Sequence, residues 1–142
     1  EGTELHNFDI YIATSGINPQ TETGTGNVVY LELVTPTSTF SGGTFGFNSS
    51  GNFSGNALAD ARFFKSINAA TQEMEALYVA QSGTVSVLKT AAGYDVTFNL
   101  TVREYNTMWY TPVGDPISMT GSYSGSLVYD DATSKGTIAK KF

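Results

Sequence analysis

The chain has 142 residues, 40% hydrophobic, 13% aromatic and 14% charged, with 13 acids against 7 bases and a formal net charge of -6. Disorder needs the opposite balance, so the composition describes one folded domain over residues 1–142, long enough to bury roughly 70% of its unfolded surface without a covalent staple. Cysteine is absent, which removes disulfides, thiol nucleophiles and cysteine-ligated metals, while the acidic balance argues against nucleic acid or anionic membrane as partners, since clustered Lys and Arg hold both.

No apolar run approaches the roughly 18 residues of a membrane span. Low charge with abundant Thr, Ser, Gly, Asn and Tyr is the composition of an exported β protein, with any targeting segment expected upstream of Glu1.

In chain order, His6, Phe8, Ile10 and Ile12 share one face of a predicted strand and Asn7, Asp9 and Tyr11 the other, until Ser15-Gly16 stops the run. The β-branched and aromatic stretch 27–35, set between Gly24-Thr-Gly26 and Pro36, predicts a second strand. Phe45 and Phe47 alternate with Gly46 after Gly42-Gly43 and predict a short third one. Residues 56–80 are mixed. Helix formers at 57–61 and 69–77 allow a helical turn through Thr71-Gln-Glu-Met-Glu, but Arg62-Phe-Phe-Lys-Ser-Ile and Leu77-Tyr-Val-Ala favour two strands joined by a loop.

The strongest alternation is Tyr94, Val96, Phe98, Leu100 and Val102 against Asp95, Thr97, Asn99, Thr101 and Arg103. With residues 84–90 it predicts a hairpin closed by Ala91-Ala92-Gly93. Ile117, Met119, Gly121, Tyr123 and Gly125 continue in one parity through Leu127 and Tyr129, before a turn at 130–136 and a last strand at 138–142. About eight to ten strands at this spacing imply an all-β fold, a single antiparallel β-sandwich built from consecutive hairpins. The alternative is an up-and-down, lipocalin-like barrel with a ligand site inside it, lined by the face of Phe98.

The pattern Gly24-Thr-Gly-Asn-Val-Val-Tyr-Leu-Glu-Leu, Phe40-Ser-Gly-Gly-Thr-Phe, Ser82-Gly-Thr-Val-Ser-Val, Gly93-Tyr-Asp-Val-Thr-Phe-Asn-Leu-Thr and Thr120-Gly-Ser-Tyr-Ser-Gly-Ser-Leu-Val-Tyr-Asp resembles uncharacterised surface-lipoprotein domains of Bacteroidetes. The likeness runs from about Phe8 to Asp131 and consists of turn and strand grammar, without a catalytic signature. It implies an exported all-β domain at the cell surface or periplasm of a Gram-negative bacterium. Its membrane association would run only through a lipid anchor upstream of this chain, with glycan-uptake or adhesion proteins as neighbours.

The residues leave little room for catalysis. His6 is the only histidine, which removes His-pair metal sites and any triad not built around that position. Two carboxylates suffice for glycoside hydrolysis, yet Asp9, Glu32, Asp60, Glu73, Glu75, Asp95 and Glu104 fall mostly on predicted solvent faces or in turns. Asp130-Asp131 lacks the spacing of a calcium loop. Gly24-Thr-Gly26 leads into a strand, so no helix N-terminus is there to meet a phosphate. No catalytic residue, metal or cofactor is called for.

The segment 105–116 holds the only tryptophan, two tyrosines, a methionine and two prolines. Sugars lay their C–H faces on aromatic rings while amide and carboxylate groups take up hydroxyls. Trp109, Tyr105 and Tyr110 with Asn106 and Asp115 are therefore the candidate ligand-binding residues. A competing reading, preferred on general grounds, has Trp109 capping an open end of the core while its N–H finds a carbonyl. The expected function is a non-catalytic cell-surface module that binds carbohydrate or a cell-surface protein. A structural or adhesion scaffold is the alternative, and a glycoside hydrolase-type enzyme stands third.

Overall fold

The structure is a computed structural model and describes residues 4–18 and 21–127. Its strands are β1 (His6–Ala13), β2 (Ile17–Asn18), β3 (Thr23–Thr35), β4 (Gly42–Phe47), β5 (Ala57–Asn68), β6 (Ala76–Thr90), β7 (Gly93–Tyr105) and β8 (Pro112–Gly125). No helix is present among the described residues. The strands form one mixed sheet in the order β1-β3-β5-β4-β6-β7-β8, with β2 pinned on β3, and the sheet does not close into a barrel.

Alternation and turn chemistry explain the elements. In β7 the alternating set Val96, Leu100 and Val102 is buried while Thr97 and Asn99 are exposed. Thr90 pairs with Gly93 across the two-residue turn Ala91-Ala92, and Gly93 takes φ 144, a left-handed value that suits glycine. The 15-residue β6 is shared by two partners. Its first part pairs with β5, from Arg62↔Val79 to Lys65↔Ala76, and its second with β4, from Gly42↔Leu88 to Gly46↔Thr84.

Register shifts between Glu32 and Leu33, Ala80 and Ser82, and Val102 and Glu104 bend these long strands. Bulges increase the right-handed coil, and the sheet curls until its inner face buries itself. Ile10, Leu31 and Leu33 from the first strands thus share a core with Phe45, Leu58, Val85, Val96 and Leu100. Full burial of each large side chain contributes roughly 1.5–3 kcal/mol.

Phe40, between β3 and β4, ties the two ends of the curl together. Its ring lies 5.0 Å from Phe8 of β1 and 5.7 Å from Tyr94 of β7, whose hydroxyl donates to the Phe40 carbonyl at 3.3 Å.

The outer face is not uniformly polar. Ile17, Val28, Ile67 and Ala69 form a second buried cluster there, joined by Tyr11, Phe64 and Met74. Asn68 organises the adjoining loop by accepting from the Ala70 and Thr71 amides at 3.0 and 3.2 Å.

Several expectations are refined. The sheet is not purely antiparallel, because β4 runs parallel to β5 through Gly46↔Ala57 and Phe47↔Leu58. The barrel alternative does not hold, since β1 and β8 end the strand order as separate edges. Residues 56–80 give two strands and a loop, as favoured above, in place of a helical turn. Strand β3 begins earlier than expected and takes in Gly24-Thr-Gly26, and β8 begins at Pro112, within the stretch read as a connection. Tyr129, the turn at 130–136 and the strand at 138–142 lie outside the described residues.

Candidate functional site

The loop 106–111 between β7 and β8 is built around one side chain. Asn106 Oδ1 accepts from the amides of Met108 and Trp109 at 2.9 and 3.0 Å. The Tyr110 amide donates to the Asn106 carbonyl at 2.9 Å, and the Asn106 amide to the Thr111 carbonyl at 2.8 Å. This is an Asx turn closed by backbone pairing, a local solution that Asn adopts readily. Tyr110 sits at φ 50, the left-handed value that lets the chain re-enter the sheet.

The turn turns its apolar side chains outward. Trp109 is 73% exposed and Met108 77%, so Trp109 does not cap the core. The preferred reading of the sequence fails because the turn, closed by Asn106 on the Met108 and Trp109 amides, leaves residues 108 and 109 in solvent, while Phe40 and Tyr94 pack at the opposite end of β7.

Beneath the loop the outer face supplies a base. Tyr110 packs on Tyr105 with ring centroids 5.0 Å apart. Arg62 of β5 places its guanidinium carbon 5.6 Å from the centroid of the Tyr110 ring, and its Nε donates to Asp60 Oδ2 at 2.7 Å. Cross-strand register carries the row onward, since Tyr30 pairs with Arg62 and Tyr11 with Tyr30. The two tyrosine rings lie 5.0 Å apart, and the Tyr30 hydroxyl donates to Asp9 Oδ1 at 3.1 Å. Burial first, and the nearby carboxylates of Asp9 and Glu32 second, push both phenols well above the ordinary tyrosine range.

Of the five candidate residues, Tyr105, Asn106, Trp109 and Tyr110 come together in this loop and its base. Asn106 serves as the keystone of the turn, with its carbonyl oxygen directed to the loop's own amides. Asp115 stands apart, exposed in β8 beside Gly114, whose carbonyl accepts from Arg103 Nε at 2.8 Å. Sequence reasoning missed Arg62 and Tyr30, and weighed Asp60 and Asp9 only as candidate carboxylates for hydrolysis, not as part of this row. The same-parity pair Asp60 and Arg62 was visible as a signal, but its neighbours are fixed by register alone.

Elsewhere, Asp9, Glu32 and Asp60 lie abreast on β1, β3 and β5. Among the described residues no group of three or more His, Asp or Glu side chains is placed to hold a metal ion. Where the curl stays open, a cleft of about 270 Å³ is lined on the inner face by Ile12, Val29, Phe63, Phe98 and Gly121. This is the Phe98 face that a closed barrel would have enclosed.

No family model, curated protein or solved structure matches the chain. Fold and site therefore define only a class: an all-β domain of one coiled sheet that presents an aromatic loop at the β7–β8 turn.

Proposed function

We propose that this chain is a non-catalytic, exported cell-surface domain, carried as a lipoprotein, that binds glycan through the 106–111 loop. The exposure of Trp109 on a loop fixed by its own hydrogen bonds is the observation that carries this reading. An indole exposed at 73% gains little from folding. It gains by stacking on the C–H face of a sugar, which is apolar on the ring and polar at its edge. A preformed loop also loses little conformational entropy when the ligand arrives.

Trp109 is the single tryptophan of the chain, so its fluorescence reports on this loop alone. Titration with a panel of glycans is expected to quench or shift the emission with at least one of them. Trp109→Ala is expected to abolish binding while changing stability by no more than about 0.5 kcal/mol, as for surface substitutions generally. If no glycan moves the emission, the glycan reading fails and the adhesion scaffold takes its place.

A second reading, capture of a cell-surface protein, is favoured by the exposure of Met108, Val113 and Ile117 beside the same loop. Exposed apolar side chains gathered in one region mark interaction surfaces. Crosslinking from a photoreactive group at Met108 to a protein, with no glycan response, would select it.

A further inference from the structure

We infer that the ligand is an extended, uncharged polysaccharide chain, held at one end by Trp109 and laid along the uncharged stretch of the outer face of β6, β7 and β8 between Asp95 and Arg103. This rests on the glycan reading and names the class of glycan. The observation behind it is independent of the loop. Register places Thr84, Asn99 and Thr120 in one cross-strand row and Ser86, Thr97 and Ser122 in the next. All six are exposed. Rows of this kind are separated by about 4.7–4.9 Å between strands and about 6.8 Å along them.

Charge divides the outer surface into two halves. Across β1, β3 and β5 it carries Asp9, Glu32, Asp60 and Arg62. On the β7 stretch of the other half, Asp95 stands at one end and Arg103 at the other, with Thr97, Asn99 and Thr101 between them. A chain with 13 acids and 7 bases keeps this stretch, from Thr97 to Thr101, free of both signs.

Hydroxyl and amide groups decide what fits such a face. Ser and Thr hydroxyls both donate and accept and rotate to suit the partner, and Asn does both from fixed positions. A polyol offers the same dual groups in return. An anionic polymer finds only Arg103 at the end of these rows, its Nε already donating to the Gly114 carbonyl, and meets the field of a protein at -6, and a cationic polymer is drawn toward the acidic half. Single hydroxyl contacts are weak against water, but a rigid strand array adds many within one ligand, and stacking on Trp109 makes each later contact intramolecular.

The test uses the whole chain and three polymers: a neutral glucan, polygalacturonate and chitosan. Binding is read by Trp109 fluorescence and by retardation in polymer-containing gels, each at low and high salt. The expected result is binding of the neutral chain at both salt levels, with affinity rising with chain length from disaccharide to polymer. In the triple variant Thr97→Ala, Asn99→Ala, Thr120→Ala the polymer is expected to bind roughly tenfold more weakly, with the disaccharide unchanged. Ser122→Lys on its own serves as a second probe, since it adds a charge to the face without removing a core atom. It is expected to weaken the polymer in the same way.

Unchanged polymer affinity in both variants, or polygalacturonate or chitosan binding as tightly as the glucan, overturns the inference and leaves the glycan module intact. A wild-type chain that answers to no glycan overturns both.

Discussion

The guanidinium of Arg62 and the ring of Tyr110 face one another at 5.6 Å, and this pair is what fastens the β7–β8 loop to the body of the sheet. Tyr110 belongs to the loop and Arg62 to the middle of β5, while Asp60 on the same strand holds the guanidinium from below. The loop is thus fixed twice, from within by Asn106 and from outside by Arg62.

Removing the outer tether should loosen the loop without unfolding the domain. Arg62→Ala is expected to reduce stability by about 0.5–1 kcal/mol, the worth of a partly exposed cation–π contact. Trp109 should then tumble faster, visible as a drop in its fluorescence anisotropy, and glycan affinity should fall. Unaltered anisotropy would mean that the Asx turn alone sets the position of the tryptophan.

Removing the inner tether should do more. Asn106→Ala takes away the acceptor of two loop amides, and the net loss per hydrogen bond is about 0.5–1.5 kcal/mol. The exposed site lets water replace part of this, so a total near the low end is expected by chemical denaturation. Asn106→Asp keeps the acceptor oxygen and is expected to retain both stability and binding.

Alkaline pH should unfold the protein through Tyr11 and Tyr30. Both phenols have their pKa raised in the folded state, chiefly by burial and then by Asp9 and Glu32, above the value of 10.0 that the unfolded chain adopts. Their contribution is fully present below about pH 10 and is lost as pH rises toward the folded values. The unfolded state releases protons that the folded state retains, so stability should fall by at most about 1.4 kcal/mol per pH unit for each tyrosine. Ultraviolet titration should show these two phenols ionising only together with loss of structure. A smooth ionisation of all tyrosines near pH 10 in a folded protein would contradict it.

Gly121 of β8 is a packing requirement. A Cβ there would run into the ring of Phe98 on β7, the cross-strand partner of Gly121. Gly121→Ala is therefore expected to destabilise by about 1–3 kcal/mol, the range for overpacking. Phe98→Leu in the same chain should recover much of that loss, giving a favourable coupling in a double-mutant cycle. Strict additivity of the two substitutions would show that the ring moves aside freely.

Much of the fold was legible from local pattern. The alternation of Tyr94 through Val102 located β7, Ala91-Ala92-Gly93 located its hairpin, and Phe45 with Phe47 located β4. The period of two is written into each strand by the apolar side chains it must bury. The candidate site was legible in part, because a cluster of Trp, Tyr, Met and Pro between two strands is conspicuous in any reading. Its orientation was not, since the exposure of Trp109 depends on how the turn closed by Asn106 is seated against strands distant in the chain. Arg62 was invisible for the same reason. Nothing near residue 62 in the chain announces that residue 110 will lie over it.

By itself, then, the order of residues determined where strands run, which parity of each is apolar and where the chain turns, because these follow from interactions among near neighbours. Only the tertiary structure decided that β4 runs parallel to β5, that the sheet coils without closing, and that Asp9, Glu32, Asp60 and Arg62 gather on the outer face of β1, β3 and β5. Those outcomes depend on register between segments far apart in the chain. A shift of one residue in any pairing would exchange its inner and outer sets.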